Sequence, residues 1–186
     1  MSIVSESDKM LYELKVEIKR IDPPIWRLIQ VSPRTSLKRL HKILQIAMGW
    51  TDSHLHLFKV DGKEYGDLIS EWDFEVLDES KLTLGKIFAG GTKSFQYEYD
   101  MGDSWMHDIT LQRQIESDET KPGCTAGARA CPPEDCGSVP GYYNLLVVLS
   151  DPDHEEHESM LEWVGGKYDP NAFDATAVDR ALKRLR

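Results

Sequence analysis

The chain has 186 residues, 40% hydrophobic and 9% aromatic, with 22 Lys+Arg against 32 Asp+Glu for a formal net charge of −10. These proportions exclude a disordered tail, and three cysteines are too few for a disulfide mini-domain and fit reduced thiols in a cytoplasm. The longest apolar run, Leu145 to Leu149, falls far short of the roughly 20 residues a membrane helix needs, so no membrane partner is expected.

Residues 1–9 are polar, carry no secretion-signal pattern and read as a flexible N-terminus. Residues 10–186 read as one domain. Tyr12, Leu14, Val16 and Ile18 alternate with charged residues, the period of a half-buried strand. Asp22-Pro23-Pro24 breaks it, and Ile25 to Val31 returns as a second strand. Thr35 or Ser36 can cap a helix over residues 36–48, with Leu37, Leu40, Leu44 and Ala47/Met48 on one face and Gly49 as its stop. A strand is expected at His54 to Val60, closed by an Asp61-Gly62 turn. Residues 63–80 read as acidic and irregular, anchored by Trp72 and Phe74, and Thr83 to Phe88 as a short helix ending at Gly90-Gly91. Phe95, Tyr97 and Tyr99, a Met101-Gly102-Asp103 turn, and Trp105, His107, Ile109 and Leu111 form a hairpin pattern. Residues 117–141, with all three cysteines, read as a long ordered loop. Helices are expected at Tyr142–Leu149, at His154–Val164 and after Asp174, the last with Val178, Ala181, Leu182 and Leu185 as its apolar face. Strands first and helices later argue for an α+β fold: a β-β-α-β unit and a central hairpin in one mixed sheet, covered by helices.

Four polar clusters could carry chemistry. His54 and His56 lie two apart on the expected strand, so both imidazoles can face one metal or anion, although Phe58 and Val60 continue that face as core. Asp100 and Asp103 bracket a glycine turn, and His107 follows; Asp commonly serves turns, but a partnered histidine could act as an acid or base. Cys124, Cys131 and Cys136 would need a histidine such as His107 to complete a tetrahedral zinc site, and buried inert thiols are the competing reading. Within the same cysteine cluster, Glu134 and Asp135 follow a rigid Pro-Pro and form a fixed pair of acids. Asp153-His154-Glu155-Glu156-His157-Glu158 places its histidines at i and i+3 rather than the i and i+4 of a zinc protease, and reads as a solvated helix start. Phosphate-loop, dinucleotide and nucleophile-elbow motifs do not occur.

Ile25-Trp26-Arg27, Leu40-His41, Gly49-Trp50, His54-Leu55-His56-Leu57-Phe58, Tyr99-Asp100-Met101-Gly102-Asp103-Ser104-Trp105 with His107, and Cys131-Pro132-Pro133-Glu134-Asp135-Cys136-Gly137 follow in that order. Together they resemble the plasmid pRiA4b ORF-3-like family, some of whose members are labelled as passengers of insertion elements. The resemblance implies a single α+β domain in bacteria or archaea. Two positions depart from the family pattern: Met101 stands where an aromatic is expected, and Ser138 where a second glycine is usual.

Charge is unevenly spread. Residues 1–50 carry nine Lys/Arg against five Asp/Glu, residues 51–179 nine against twenty-seven, and Arg180 to Arg186 four against none. The leading expectation is a non-catalytic binding or accessory module associated with plasmids or mobile elements, with a protein or small-molecule partner. The alternative is a hydrolase or transferase holding zinc or another divalent metal among His54, His56, Asp100, Asp103 and His107. The third is nucleic-acid binding through the basic N- and C-terminal segments, which the acidic middle opposes.

Overall fold

Tyr12, Leu14, Val16 and Ile18 are all buried on one side of their strand, as the alternation with charged residues requires. The computed structural model describes residues 9–67 and 76–185. Strand β1 (Met10–Ile18) pairs antiparallel with β2 (Trp26–Val31) across the Asp22-Pro23-Pro24 break, Leu14 opposite Ile29. Helix α1 (Leu37–Met48) follows; Ser36 Oγ accepts the Arg39 amide at 3.2 Å and Gly49 closes the helix at φ 94°, its N–H on Gln45 O. Next come β3 (His56–Val60), β4 (Lys63–Gly66), β5 (Leu77–Asp78) and α2 (Leu84–Ala89), capped by Thr83. The expected hairpin is β6 (Ser94–Tyr99) and β7 (Trp105–Glu116). Strand β8 (Gly123–Ala128) and helices α3 (Ser138–Ser150), α4 (His157–Trp163) and α5 (Ala175–Leu182) complete the chain.

The described strands form one mixed sheet in the order β5-β4-β3-β6-β7-β1-β2-β8, antiparallel everywhere except β4–β5. Leu37, Leu40, Ile43 and Leu44 of α1, Leu84 and Ile87 of α2 and Leu182 of α5 join the inward residues of the sheet in one core. The α+β architecture is therefore as the sequence pattern implies.

Several expected boundaries are corrected. The residue 117–141 loop contains β8, whose Gly and Ala residues have little strand propensity but complete the ladder on β2. Residues 63–66 and 77–78 are strand rather than irregular, and Trp72 and Phe74 lie outside the described residues. Helix α3 begins at Ser138, four residues early, because Pro140 is tolerated in a first turn. Helix α4 begins only at His157: turns precede it, with His154 N–H on Asp151 O and the Glu156 amide on His154 Nδ1. Strand β3 begins at His56, since Asp52 takes φ 60° and turns the chain before His54.

Candidate functional site

That turn separates two histidines the sequence pattern placed together. A cleft of about 1020 Å³ opens between α1, the 52–57 segment, β4 and the end of β6, and both His54 and His56 line it. Their side chains belong to different groups within it.

His56 enters a buried network with a residue from α1. The His41 and His56 rings stack at 3.5 Å between centroids and 4° between planes. His56 Nε2 meets Glu79 Oε2 at 2.8 Å, and Glu79 is only 1% exposed. His41 Nε2 meets Asp52 Oδ1 at 2.6 Å, and its Nδ1 meets the Tyr97 hydroxyl at 2.8 Å. Burial first, then the neighbouring imidazole, holds His41 below its ordinary pKa, so the ring is neutral at pH 7. The hydrogen bonds then assign its tautomer. Gln45 Nε2 donates to Tyr97 Oη at 3.0 Å, so the tyrosine proton goes to His41 Nδ1, and His41 Nε2–H donates to Asp52. The Asp52 amide donates to Gln45 Oε1 at 2.9 Å and closes the ring. His41 is thus fully committed, whereas His56 Nδ1 has no hydrogen bond among the described residues and belongs to a ring on the cleft wall.

His54 faces Asp100 and Asp135 instead. His54 Nε2 lies 3.8 Å from Asp100 Oδ2 and 3.3 Å from Asp135 Oδ1, and one ligand atom from each residue falls within 4.8 Å of the others. His54 Nε2 is shielded from solvent and makes no hydrogen bond. Asp100 reaches this position because it sits in the left-handed region at φ 60°, where its Oδ1 accepts the Gly102 and Asp103 amides and leaves Oδ2 for His54. Asp135, at φ 61°, arrives on the loop after β8. Glu134 fixes that loop: its carboxylate accepts the Thr51 hydroxyl and the Tyr99 hydroxyl. Burial opposes ionisation of Glu134, yet those donors outweigh it and hold the carboxyl below its ordinary range. Trp50 adds an Nε1–H bond to Pro132 O at 3.0 Å and stacks on Tyr99 at 4.8 Å.

The other expected site residues lie elsewhere. Asp103 Oδ2 accepts the Gly137 amide at 3.1 Å and serves the loop. His107 is wholly buried, its Nδ1–H donating to Trp105 O at 2.8 Å, and desolvation pushes its pKa down to about 4. Among the described residues, no group of three close His, Cys, Asp or Glu donors includes Cys124, Cys131, Cys136 or His107. Burial raises all three thiols, Cys136 to about 12, which disfavours the thiolate that zinc or a nucleophile requires. His157 Nδ1–H donates to Val148 O at 3.0 Å and ties α4 to α3. Met101 is 36% exposed on the cleft rim.

Sequence reasoning missed His41, Asp52 and Glu79 as site residues. His41 had a signal, falling on the stripe Leu37, His41, Leu44, Met48 that faces the core. Glu79 had none among its acidic neighbours. Among the described residues, no helix is long and apolar enough to cross a membrane.

A protein from Sinorhizobium fredii (strain NBRC 101917 / NGR234), named uncharacterized protein y4hQ, is 37% identical over 175 residues, 92% of this chain and 90% of its own. The crystal structure of MM3350 from Methanosarcina mazei Go1, described as a protein of unknown function, superimposes with a TM-score of 0.83 at 38% identity, over 90% of this chain and 97% of that one. The family model for plasmid pRiA4b ORF-3-like protein matches residues 10–177, from β1 into α5 and through every segment that builds the cleft, so the chain belongs to the plasmid pRiA4b ORF-3-like family.

Proposed function

We propose that the protein is a binding module whose cleft mouth holds one divalent transition-metal ion on His54 Nε2, Asp100 Oδ2 and Asp135 Oδ1. The observation that carries this reading is the solvent-shielded, unbonded His54 nitrogen beside two carboxylate oxygens, all three atoms within 4.8 Å. One imidazole with two carboxylates suits zinc, manganese or ferrous iron better than a soft ion, and two negative charges balance a divalent cation. Three protein ligands leave a coordination position for water or for a small molecule seated in the cleft. Membership of the family supports an accessory role tied to plasmids or mobile elements.

Metal content of protein purified without a histidine tag, followed by titration of the stripped protein with Zn²⁺ and Mn²⁺, tests this. One ion per chain is expected, with affinity falling at least tenfold in His54→Ala and in Asp100→Asn and unchanged in Cys131→Ser. Retention of the ion in His54→Ala, or its loss in Cys131→Ser, contradicts the reading.

One contact favours nucleic-acid binding as a second reading. Arg39 Nη2 donates to Leu185 O at 3.0 Å, so the basic α1 and the basic C-terminal segment are neighbours. Such binding would weaken steeply with salt; absence of a salt-dependent shift with DNA or RNA removes it.

A further inference from the structure

Helices α3 and α4 form a surface that the cleft does not use. Residues 130–166 contain eight Asp/Glu and no Lys or Arg. Six of those acids, Asp151, Asp153, Glu155, Glu156, Glu158 and Glu162, lie on or before α4, and none forms an ion pair among the described residues. Apolar side chains stand among them. Val147 is 60% exposed, Trp163 48% and Tyr143 37%, although α3 is apolar enough to be buried on all sides. The two helices enclose a groove of about 440 Å³, floored by Gly141 and Leu145 of α3 and walled by Met160 and Trp163 of α4. The His157–Val148 hydrogen bond holds the groove's other end.

We propose that the α3–α4 face docks a basic amphipathic segment of another protein, one that places a large apolar side chain in the groove beside Trp163 and its Lys/Arg residues against the acids of 151–162. An exposed Trp163 and a half-buried Met160 in a groove supply the apolar anchor that such helix-in-groove contacts use. Unpaired acids around that groove select a cationic partner and repel nucleic acid and anionic lipid. The acids lose no internal ion pair when a partner neutralises them. The acids of 151–162 are absent from the metal cluster, although Asp135, one of its three ligands, also lines the end of the groove.

A fluorescein-labelled synthetic helix of Lys and Leu in amphipathic order, titrated by anisotropy at 50 and 300 mM salt, tests the proposal. Saturable binding is expected, at least tenfold weaker at the higher salt. A peptide with the same lysines but serines for leucines should bind at least tenfold more weakly. Trp163→Ala, and the combined Glu155→Gln, Glu158→Gln, Glu162→Gln variant, should each weaken binding tenfold or more. Glu116→Gln with Asp118→Asn and Glu119→Gln, which removes equal charge elsewhere, should change it less than twofold. Unfolding midpoints of all variants establish that they are folded. Equal losses in the two acid-neutralised variants, indifference to Trp163→Ala, or a self-associated species that excludes the peptide would overturn the proposal.

Discussion

Arg27 is a cation at 2% exposure whose partners are carbonyls rather than a carboxylate. Its Nε donates to Ala47 O at 2.8 Å and its Nη1 to Trp26 O and Ala128 O at 2.8 and 2.9 Å, while the guanidinium lies 4.1 Å from the Phe173 ring centre. One planar fork therefore joins β2, the end of α1 and β8, and the charge favours the negative end of the α1 dipole. A lysine cannot reproduce three directed bonds, so Arg27→Lys should cost about 2–3 kcal/mol in chemical denaturation; a loss below about 0.5 kcal/mol would contradict that role. His107 gives a pH dependence. Its pKa falls from 6.5 to about 4 through desolvation, so the unfolded chain binds the extra proton between those values. The stability this neutral ring contributes is present above pH 6.5 and is lost as pH falls towards 4, by about 3 kcal/mol in total. His41, lowered for the same reason, adds slope of the same sign. Denaturation midpoints across this range should drop with acid in the native protein and less steeply in His107→Gln, and an unchanged slope would count against it.

At the scale of elements, the junction between the Cys131–Cys136 loop and α3 stores strain. Gly137 takes φ 89° and Ser138 φ 64°, both left-handed. The glycine that the sequence resemblance leads one to expect where Ser138 stands has a backbone reason: a side chain there meets its own carbonyl. Ser138→Gly should therefore raise stability by about 0.5–1 kcal/mol, net of the entropy glycine adds to the unfolded chain. A lower melting temperature would show that Ser138 contributes something the backbone does not reveal. Elements with a strong pattern were legible in the sequence: β1, α1 and the β6–β7 hairpin follow from their periods and caps. Those built by partners were not. Strand β8 is Gly-Cys-Thr-Ala-Gly-Ala, and only the open edge of β2 makes it a strand. The candidate site divides likewise. His54, Asp100 and Asp135 stood out as residue types, but their meeting depends on Glu134 pinning a loop to Thr51 and Tyr99, a long-range contact without a local signature.

Across the whole molecule, charge and topology act together. The sheet order places β3 and β6 side by side, so the turn after β6 delivers Asp100 beside His54, and the Asp100 amide bonds to Leu55 O at 2.8 Å. The acidic middle then surrounds a cleft whose cations are largely paired, Lys38 with Asp67 and Lys59 with Glu98. A divalent ion at the proposed site would be drawn by that net negative field before any ligand bonds form. Crystals soaked in Zn²⁺ and measured on both sides of the zinc absorption edge locate the ion directly. The proposed metal site predicts an anomalous peak about 2 Å from His54 Nε2, Asp100 Oδ2 and Asp135 Oδ1. A peak on the cysteine thiols with none at His54 would contradict it.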